Sequence, residues 1–394
     1  MIYVDNAATS HPKPSSVYER VDTVLRKYSA NPGRSGHAMA AEADRIIFEA
    51  RESIARLFGI AQSDRIIFTA NATGALNLSI QGMLRPGDHC VTSSMEHNSV
   101  VRPLHSLCKS GVTVTKVRAS REGVIDAADV AAAITQNTRL VAITHASNVV
   151  GTITPIQEVV RLAHDRGVPV LVDAAQTAGS VPIDVEQWGI DLFACPGHKG
   201  LFGPQGTGFL YIAPHLSPRP ILFGGTGSRS DLEEMPDFTP DRYEAGTVNT
   251  PGIAGLGAGV EFLLERTVEA VRAHEITLCQ RLMDGLAAID GVRVYGVPDA
   301  RRRTPVVLFQ IEGVDPALIG DRLDAEFGIA VRVGVHCAPG AHQTIGTFPL
   351  GGVRISPGFF NTLEEIDQTV EAVRTIAKHG TIGNFCLQEH ISHV

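Results

Sequence analysis

Between about residues 40 and 60, apolar side chains recur at helical spacing: Ile46, Ile47, Ala50, Ile54, Leu57 and Phe58, closed by Gly59. After this helix the pattern changes. Short apolar runs bounded by glycine cover 65–69, 89–93, 113–117, 140–145, 168–173 and 192–194, and helical stretches such as 74–81 and 156–166 fall between them. Such runs bury both faces, which predicts an α/β fold with a mainly parallel sheet between helices. Ligands bind such sheets at the carboxyl ends of the strands, so chemistry is expected in the residues just after each run.

Near residues 250–270 the character shifts. A helix at 253–265 leads into a longer helical pattern at 268–289, followed by strands at 292–295 and 306–311. A helix at 316–327, strands near 330–333 and at 352–356, and a helix at 364–378 complete a smaller α+β unit. The expected division is a large domain over 15–265 and a small one formed by 1–14 with 266–394. A length of 394 residues suits two domains, and the absence of repeats or a low-complexity linker suggests close packing.

A hydrophobic fraction of 44% with 19% charged residues describes an ordinary globular protein. The net charge of −8, free of long like-charge runs, argues against nucleic acid or an anionic membrane as partner. The densest basic cluster, Arg301-Arg302-Arg303, reads as a solvated turn. The first residues, Met-Ile-Tyr-Val-Asp-Asn-Ala-Ala, do not resemble a signal peptide, and no apolar window reaches membrane-span length. A cytoplasmic location is the expectation. Six scattered cysteines (90, 108, 195, 279, 337 and 386) read as free thiols in a reducing compartment, with no zinc site.

Lysine is scarce, six against 28 arginines, and Lys199 stands apart in Cys195-Pro-Gly-His-Lys-Gly-Leu-Phe-Gly. A side chain there can project into a cleft, where an aldehyde cofactor needs an amine of lowered pKa. Leu171-Val-Asp173-Ala-Ala-Gln176 lies 26 residues upstream, measured from Asp173. A strand-ending aspartate beside a pyridinium nitrogen would keep that nitrogen protonated and the ring an electron sink. Alone, Asp173 reads equally well as a helix cap. Thr69-Ala-Asn-Ala-Thr73-Gly is a strand-to-helix turn suited to a phosphate, or simply a capped helix start. His97, after another strand, could stack on a ring and move protons, though a single histidine is more often structural.

Taken in order, Asp5-Asn6-Ala7-Ala8-Thr9, Glu96-His97, Ser147-Asn148, Asp173-Ala-Ala-Gln176, Gly197-His198-Lys199, Glu244-Ala-Gly-Thr247 and Arg332…His336-Cys337…Arg354 resemble fold-type I pyridoxal-phosphate enzymes of aminotransferase class V. Within them the chain is most similar to the cysteine desulfurases and selenocysteine lyases. The resemblance spans about residues 1–378 and implies a seven-stranded-type sheet and pyridoxal phosphate held on Lys199 as a Schiff base. By the same resemblance His97 would stack on the ring, Asp173 pair with its nitrogen and Gln176 touch its phenolic oxygen. Thr73, His198 and, across a homodimer interface, Thr247 would hold the phosphate. Asn148 and Arg354 would fix the amino-acid carboxylate beside Ala8, a task that suits arginine's planar fork.

Cys337 sits where desulfurases carry the sulfur-accepting thiol, which implies conversion of L-cysteine to L-alanine with a persulfide on Cys337. Arg332 and His336 could lower its pKa. Only 17 residues separate Cys337 from Arg354, resembling the desulfurases with a short loop that often need a sulfur-acceptor protein. A departure is Pro196, where the family often has serine; Ser228 or Thr226 could replace that phosphate contact. A selenocysteine lyase, a cysteine C–S lyase or a class V transaminase or epimerase are the alternatives. Cys386, His390 and His393 in the tail could bind metal or relay sulfur, but read first as a frayed terminus.

Overall fold

The computed structural model describes residues 1–33 and 36–379; Cys386, His390 and His393 lie outside the described residues. The strands are β1 (Ile2–Tyr3), β2 (Ile66–Thr69), β3 (His89–Ser93), β4 (Thr113–Val117), β5 (Thr138–Thr144), β6 (Val170–Asp173), β7 (Leu192–Pro196), β8 (Gly208–Ile212), β9 (Val292–Tyr295), β10 (Val307–Ile311), β11 (Ile329–Ala330), β12 (Arg332–Gly334) and β13 (Gly352–Ile355). Seven of them form one sheet in the order β2-β8-β7-β6-β5-β3-β4. β8 runs against both its neighbours, β2 and β7; the remaining pairs are parallel. The strand β8 was not expected, although Gly208-Phe-Leu-Tyr-Ile212 has the same short, apolar, glycine-bounded character as the others.

Successive side chains of a strand point to opposite faces, and in β3, β6, β7 and β8 both faces are buried, while the edge strand β4 is largely exposed. Val141, Val172 and Phe193 pack with the helices Ala38–Leu57, Ile156–His164 and Thr250–Arg266, while their neighbours Ala142, Leu171 and Leu192 pack with Ala72–Met83 and Asn98–Cys108. A separate core lies under a four-stranded antiparallel sheet, β12-β13-β10-β9. There Val307, Phe309, Val353 and Ile355 meet Leu278 and Leu282, Ile319 and Leu323, and Ile366 and Val373 from three helices. β1 pairs in parallel with β11, which buries Val4 in this second core. The single strand expected at 330–333 is therefore two, because β11 follows β1 and β12 follows β13.

Arg303 corrects the solvated-turn reading of the arginine triplet. Arg301 and Arg302 are exposed, but Arg303 is fully buried, donating from Nη1 to the Val297 carbonyl at 2.8 Å and from Nη2 to the Val306 carbonyl at 2.5 Å. These carbonyls replace part of the hydrogen bonding that water would give, while Arg303 Nε finds no partner among the described residues.

The loop after β7 is held by backbone contact. A Cβ on Gly200 would stand 2.4 Å from the Ala178 carbonyl oxygen, and one on Gly179, at φ +85°, 2.2 Å from the Gly200 oxygen. Only glycine fits on either side of this approach. Gly200→Ala is accordingly expected to destabilise the protein by about 2 kcal/mol or more, the cost of an overpacked backbone contact. Denaturant unfolding checks it, and an unchanged midpoint would mean that the loop can move aside freely.

Candidate active site

Residues at or just beyond the carboxyl ends of several strands of the seven-stranded sheet meet in one place. A cavity of about 220 Å³ is lined by Asn71, Ala72 and Thr73 after β2, His97 after β3, Asn148 after β5, Asp173 and Gln176 at the end of β6, and His198 and Lys199 after β7. Ala7 and Ala8 come from the N-terminal segment, Arg332 and Arg354 from the second sheet, and His336 from the turn after β12. Nine of the expected residues thus share one cavity. Cys337 is exposed at its rim, in an adjoining groove with Thr73, His97 and Ser99. Thr247 is elsewhere, in a groove with Arg51, Thr226, Ser228 and Glu244. Within one chain neither Thr247 nor the proposed replacements Ser228 and Thr226 reach Lys199.

Burial, the nearby Arg354 and Arg332 push the Lys199 amine down to about 8, against the opposite pull of Asp173 and Asp5. A useful fraction of neutral amine follows near neutral pH. Asp173 is buried, and one of its oxygens accepts the Ala175 N–H at 3.0 Å, while the other meets no donor among the described residues. Burial raises its pKa; the Ala175 N–H and the lysine oppose that rise. Among the described residues no cation forms a direct ion pair with this carboxylate, and a protonated ring nitrogen would be such a partner.

His97 caps the helix Asn98–Cys108, its Nδ1 accepting the Ser99 N–H at 3.0 Å, so that its proton sits on Nε2. Burial, then the surrounding Lys199 and arginines, hold it neutral, at about 4. Ser99 Oγ stands 2.9 Å from His97 Nδ1 and 2.8 Å from Thr73 Oγ1, linking the ring to the start of helix Ala72–Met83. That helix is capped by Asn71, whose Oδ1 takes the Gly74 N–H at 2.9 Å and leaves the N–H groups of Ala72 and Thr73 open to an anion. His198 Nδ1 is buried and unpartnered. These donors fit a phosphate, and with Asp173 and Lys199 the set fits pyridoxal phosphate. Gln176 donates to the Ala7 carbonyl at 3.2 Å.

The arginine expected to grip a carboxylate is not free. Arg354 Nη2 pairs with Asp5 at 2.7 Å and Nη1 donates to the Asn148 carbonyl at 3.0 Å, while its buried Nε has no partner. Five N–H groups leave it donors to spare. Asn148 itself donates Nδ2–H to the His336 carbonyl at 2.7 Å. Arg332 Nη2 lies 3.5 Å from Cys337 Sγ. His336, by contrast, does not assist the thiol: its ring nitrogens face the Arg332 carbonyl and His342, and burial drives its pKa to about 2. Sequence reasoning assigned no role to Asp5, Asn71 or Ser99. Asp5 stood inside a quoted motif, and Ser99 two residues after His97 carried the signature of a cap.

The buried histidines set the acid limit of the fold. His97, His198 and His342 are lowered to about 4, His145 to about 3 and His336 to about 2, all chiefly by burial. As pH falls through about 6.5 the unfolded chain binds these protons and the folded chain does not, so stability declines. Glu96 and Glu275, raised to about 8 by burial, act oppositely: they take up protons in the folded state and weaken it as pH rises toward 8. Five groups outweigh two. The melting temperature should peak near pH 7 and fall steadily to pH 5; a flat profile between pH 7 and 5 would contradict these assignments.

The sequence profile of the family described as aminotransferase class-V matches residues 2–369. A probable cysteine desulfurase of Methanothermobacter thermautotrophicus is 37% identical over 96% of this chain and 95% of its own length. Another, from Halalkalibacterium halodurans, is 38% identical over 93% and 91%. The apo structure of a cysteine desulfurase from Thermococcus onnurineus superposes with a TM-score of 0.89 at 33% identity, covering 96% of this chain and 94% of that one. The cysteine desulfurase CsdA of Escherichia coli follows at 0.85 and 30%, covering 95% and 94%. Fold, cavity and relatives agree: the chain belongs to the aminotransferase class-V family, among the cysteine desulfurases.

Proposed function

We propose that this protein is a pyridoxal-phosphate-dependent cysteine desulfurase that converts L-cysteine to L-alanine and keeps the sulfur as a persulfide on Cys337. The observation that carries the reading is the meeting of Lys199, Asp173 and Arg354 in one cavity with an exposed thiol at its rim. When bound, pyridoxal phosphate supplies an aldehyde for amines and a ring that withdraws electrons from the substrate's carbons. Lys199 anchors the aldehyde through its partly neutral amine. The open oxygen of Asp173 keeps the ring nitrogen protonated, and Ala72 N–H, Thr73 and His198 hold the phosphate. Arg354 receives the amino acid's carboxylate through the donors that Asp5 and Asn148 leave free. His97 covers the ring with its proton on Nε2.

In the sulfur step the substrate's carbon–sulfur bond breaks, a sulfur–sulfur bond forms at Cys337, and the carbon takes up a proton. Cysteine and one thiol give alanine and one persulfide, so no external oxidant or reductant enters. Arg332, with Nη2 3.5 Å from Cys337 Sγ, stands beside the attacking sulfur. Release of the sulfur calls for a second thiol, and the short segment carrying Cys337 suits a sulfur-acceptor protein that comes to it.

Thr247 serves a second copy of the chain on this reading, completing the phosphate site across a two-fold homodimer. The chain divides into 15–265 and 1–14 with 266–394, substrate binding at the junction.

Lys199→Ala is expected to lose the visible absorbance of the bound cofactor and all turnover. Cys337→Ala should keep that absorbance and lose cysteine turnover by at least about 100-fold, since the acceptor nucleophile is gone. Release of alanine and sulfide by Cys337→Ala at the parent rate would instead describe a C–S lyase. Sedimentation should give a dimer, and an active, cofactor-loaded monomer would remove Thr247 from the site.

A further inference from the structure

His336 and Cys337 both lie in the left-handed backbone region, at φ 50° and 57°. Glycine is the usual residue there, and a residue with a Cβ is strained in that conformation. A thiol cannot be supplied by glycine, so the turn must be held by its surroundings. The backbone part of that hold is plain: the Cys337 carbonyl accepts the Asn98 N–H at 2.8 Å, the His336 carbonyl accepts Asn148 Nδ2–H at 2.7 Å, and Ala338 N–H donates to the Val335 carbonyl at 2.9 Å.

The side-chain part is a directed chain. His336 Nε2 lies 3.3 Å from the Arg332 carbonyl, which can only accept, so this nitrogen carries the ring's proton. Nδ1 must then accept, and it faces His342 Nε2 at 3.2 Å, which fixes the proton of the second ring. His342 Nδ1 accepts in turn from Thr347 Oγ1 at 2.6 Å. The two rings are stacked, 5.3 Å between centroids and 18° between planes. Every donor is assigned: Thr347 to His342, His342 to His336, His336 to Arg332. His342 and Thr347 are buried and do not line the cavity. Two imidazoles and a hydroxyl are an expensive way to fill a core, where an apolar side chain would do. What they add is direction.

We propose that His342 and Thr347 are positioning residues of the sulfur-transfer step: the hydrogen-bond chain they begin holds the 336–337 turn and thereby keeps Cys337 Sγ beside Arg332 at the mouth of the cavity. This rests on the reading of Cys337 as sulfur acceptor. Neither residue touches substrate or cofactor, so cofactor binding does not depend on them. A glutamine at 342 preserves an N–H donor toward His336; an alanine does not.

The test compares His342→Ala, His342→Gln and Thr347→Val in the cofactor-loaded enzyme. Iodoacetamide labelling of Cys337 is followed by peptide mass spectrometry, with the exposed Cys108 as internal reference, and persulfide formed on Cys337 in the first turnover is measured separately. His342→Ala should slow both by about tenfold, the worth of one buried hydrogen bond. Thr347→Val should slow them by about threefold, and His342→Gln should recover to within about twofold of the parent. Cofactor absorbance and Cys108 labelling stay unchanged. Labelling and transfer within twofold of the parent in both His342→Ala and Thr347→Val would reduce the chain to core packing and overturn the proposal. Should His342→Ala not fold, Thr347→Val and His342→Gln decide it alone. If labelling shifts as expected while Cys337→Ala still turns over cysteine at the parent rate, the positioning stands and the sulfur-acceptor reading falls.

Discussion

Lys199 reaches its cavity from a loop so close to the neighbouring turn that Gly179 and Gly200 leave no room for a Cβ, and its amine is held among Arg354, Arg332 and Asp173. Burial and two cations work against its charge; two carboxylates, Asp173 and Asp5, work for it. The balance puts the pKa near 8, low enough to offer a neutral amine without removing the positive form. Asp173 is caught in the same balance from the other side. Its carboxyl is raised by burial and needs a cation that the chain does not fully provide. The sheet order, the glycines and the second sheet's arginines all serve to bring these groups together.

Arginine is where the site departs from a simple picture. Arg332 and Arg354 are direct cross-strand partners on β12 and β13, an arrangement that like charges disfavour. Asp5, delivered by the N-terminal segment beside β1, neutralises one of the two. The pairing of β1 with β11 is thus part of the site's electrostatics as well as of the second core. One arginine is left committed to a carboxylate and the other stands against the thiol.

Much of this was legible in the sequence. Strands buried on both faces announce themselves as short apolar runs, and the residues after them then pointed to Asp173, His97 and Lys199, while Asn148 came only with the family resemblance. What escaped has a physical reason in each case. β8 has the same composition as its neighbours but follows β7 with no helix between, antiparallel to it, outside the strand–helix alternation that marks the others. Arg303 looked solvated because a run of three arginines carries no mark of which one finds carbonyls. The tautomers of His336 and His342 depend on contacts between residues four to six apart in an irregular turn, where no periodicity exists to read. The ion pair of Asp5 with Arg354 joins positions 349 apart.

The account stands on a sulfur atom moving from cysteine to one thiol of this chain. The most direct measurement is a single turnover of the cofactor-loaded enzyme with L-cysteine, followed by alkylation, non-reducing digestion and peptide mass spectrometry. One added sulfur is expected on the peptide containing Cys337, with a matching amount of alanine. Sulfur recovered as free sulfide, or on a peptide carrying Cys108 or another cysteine, with Cys337 unmodified, would contradict it.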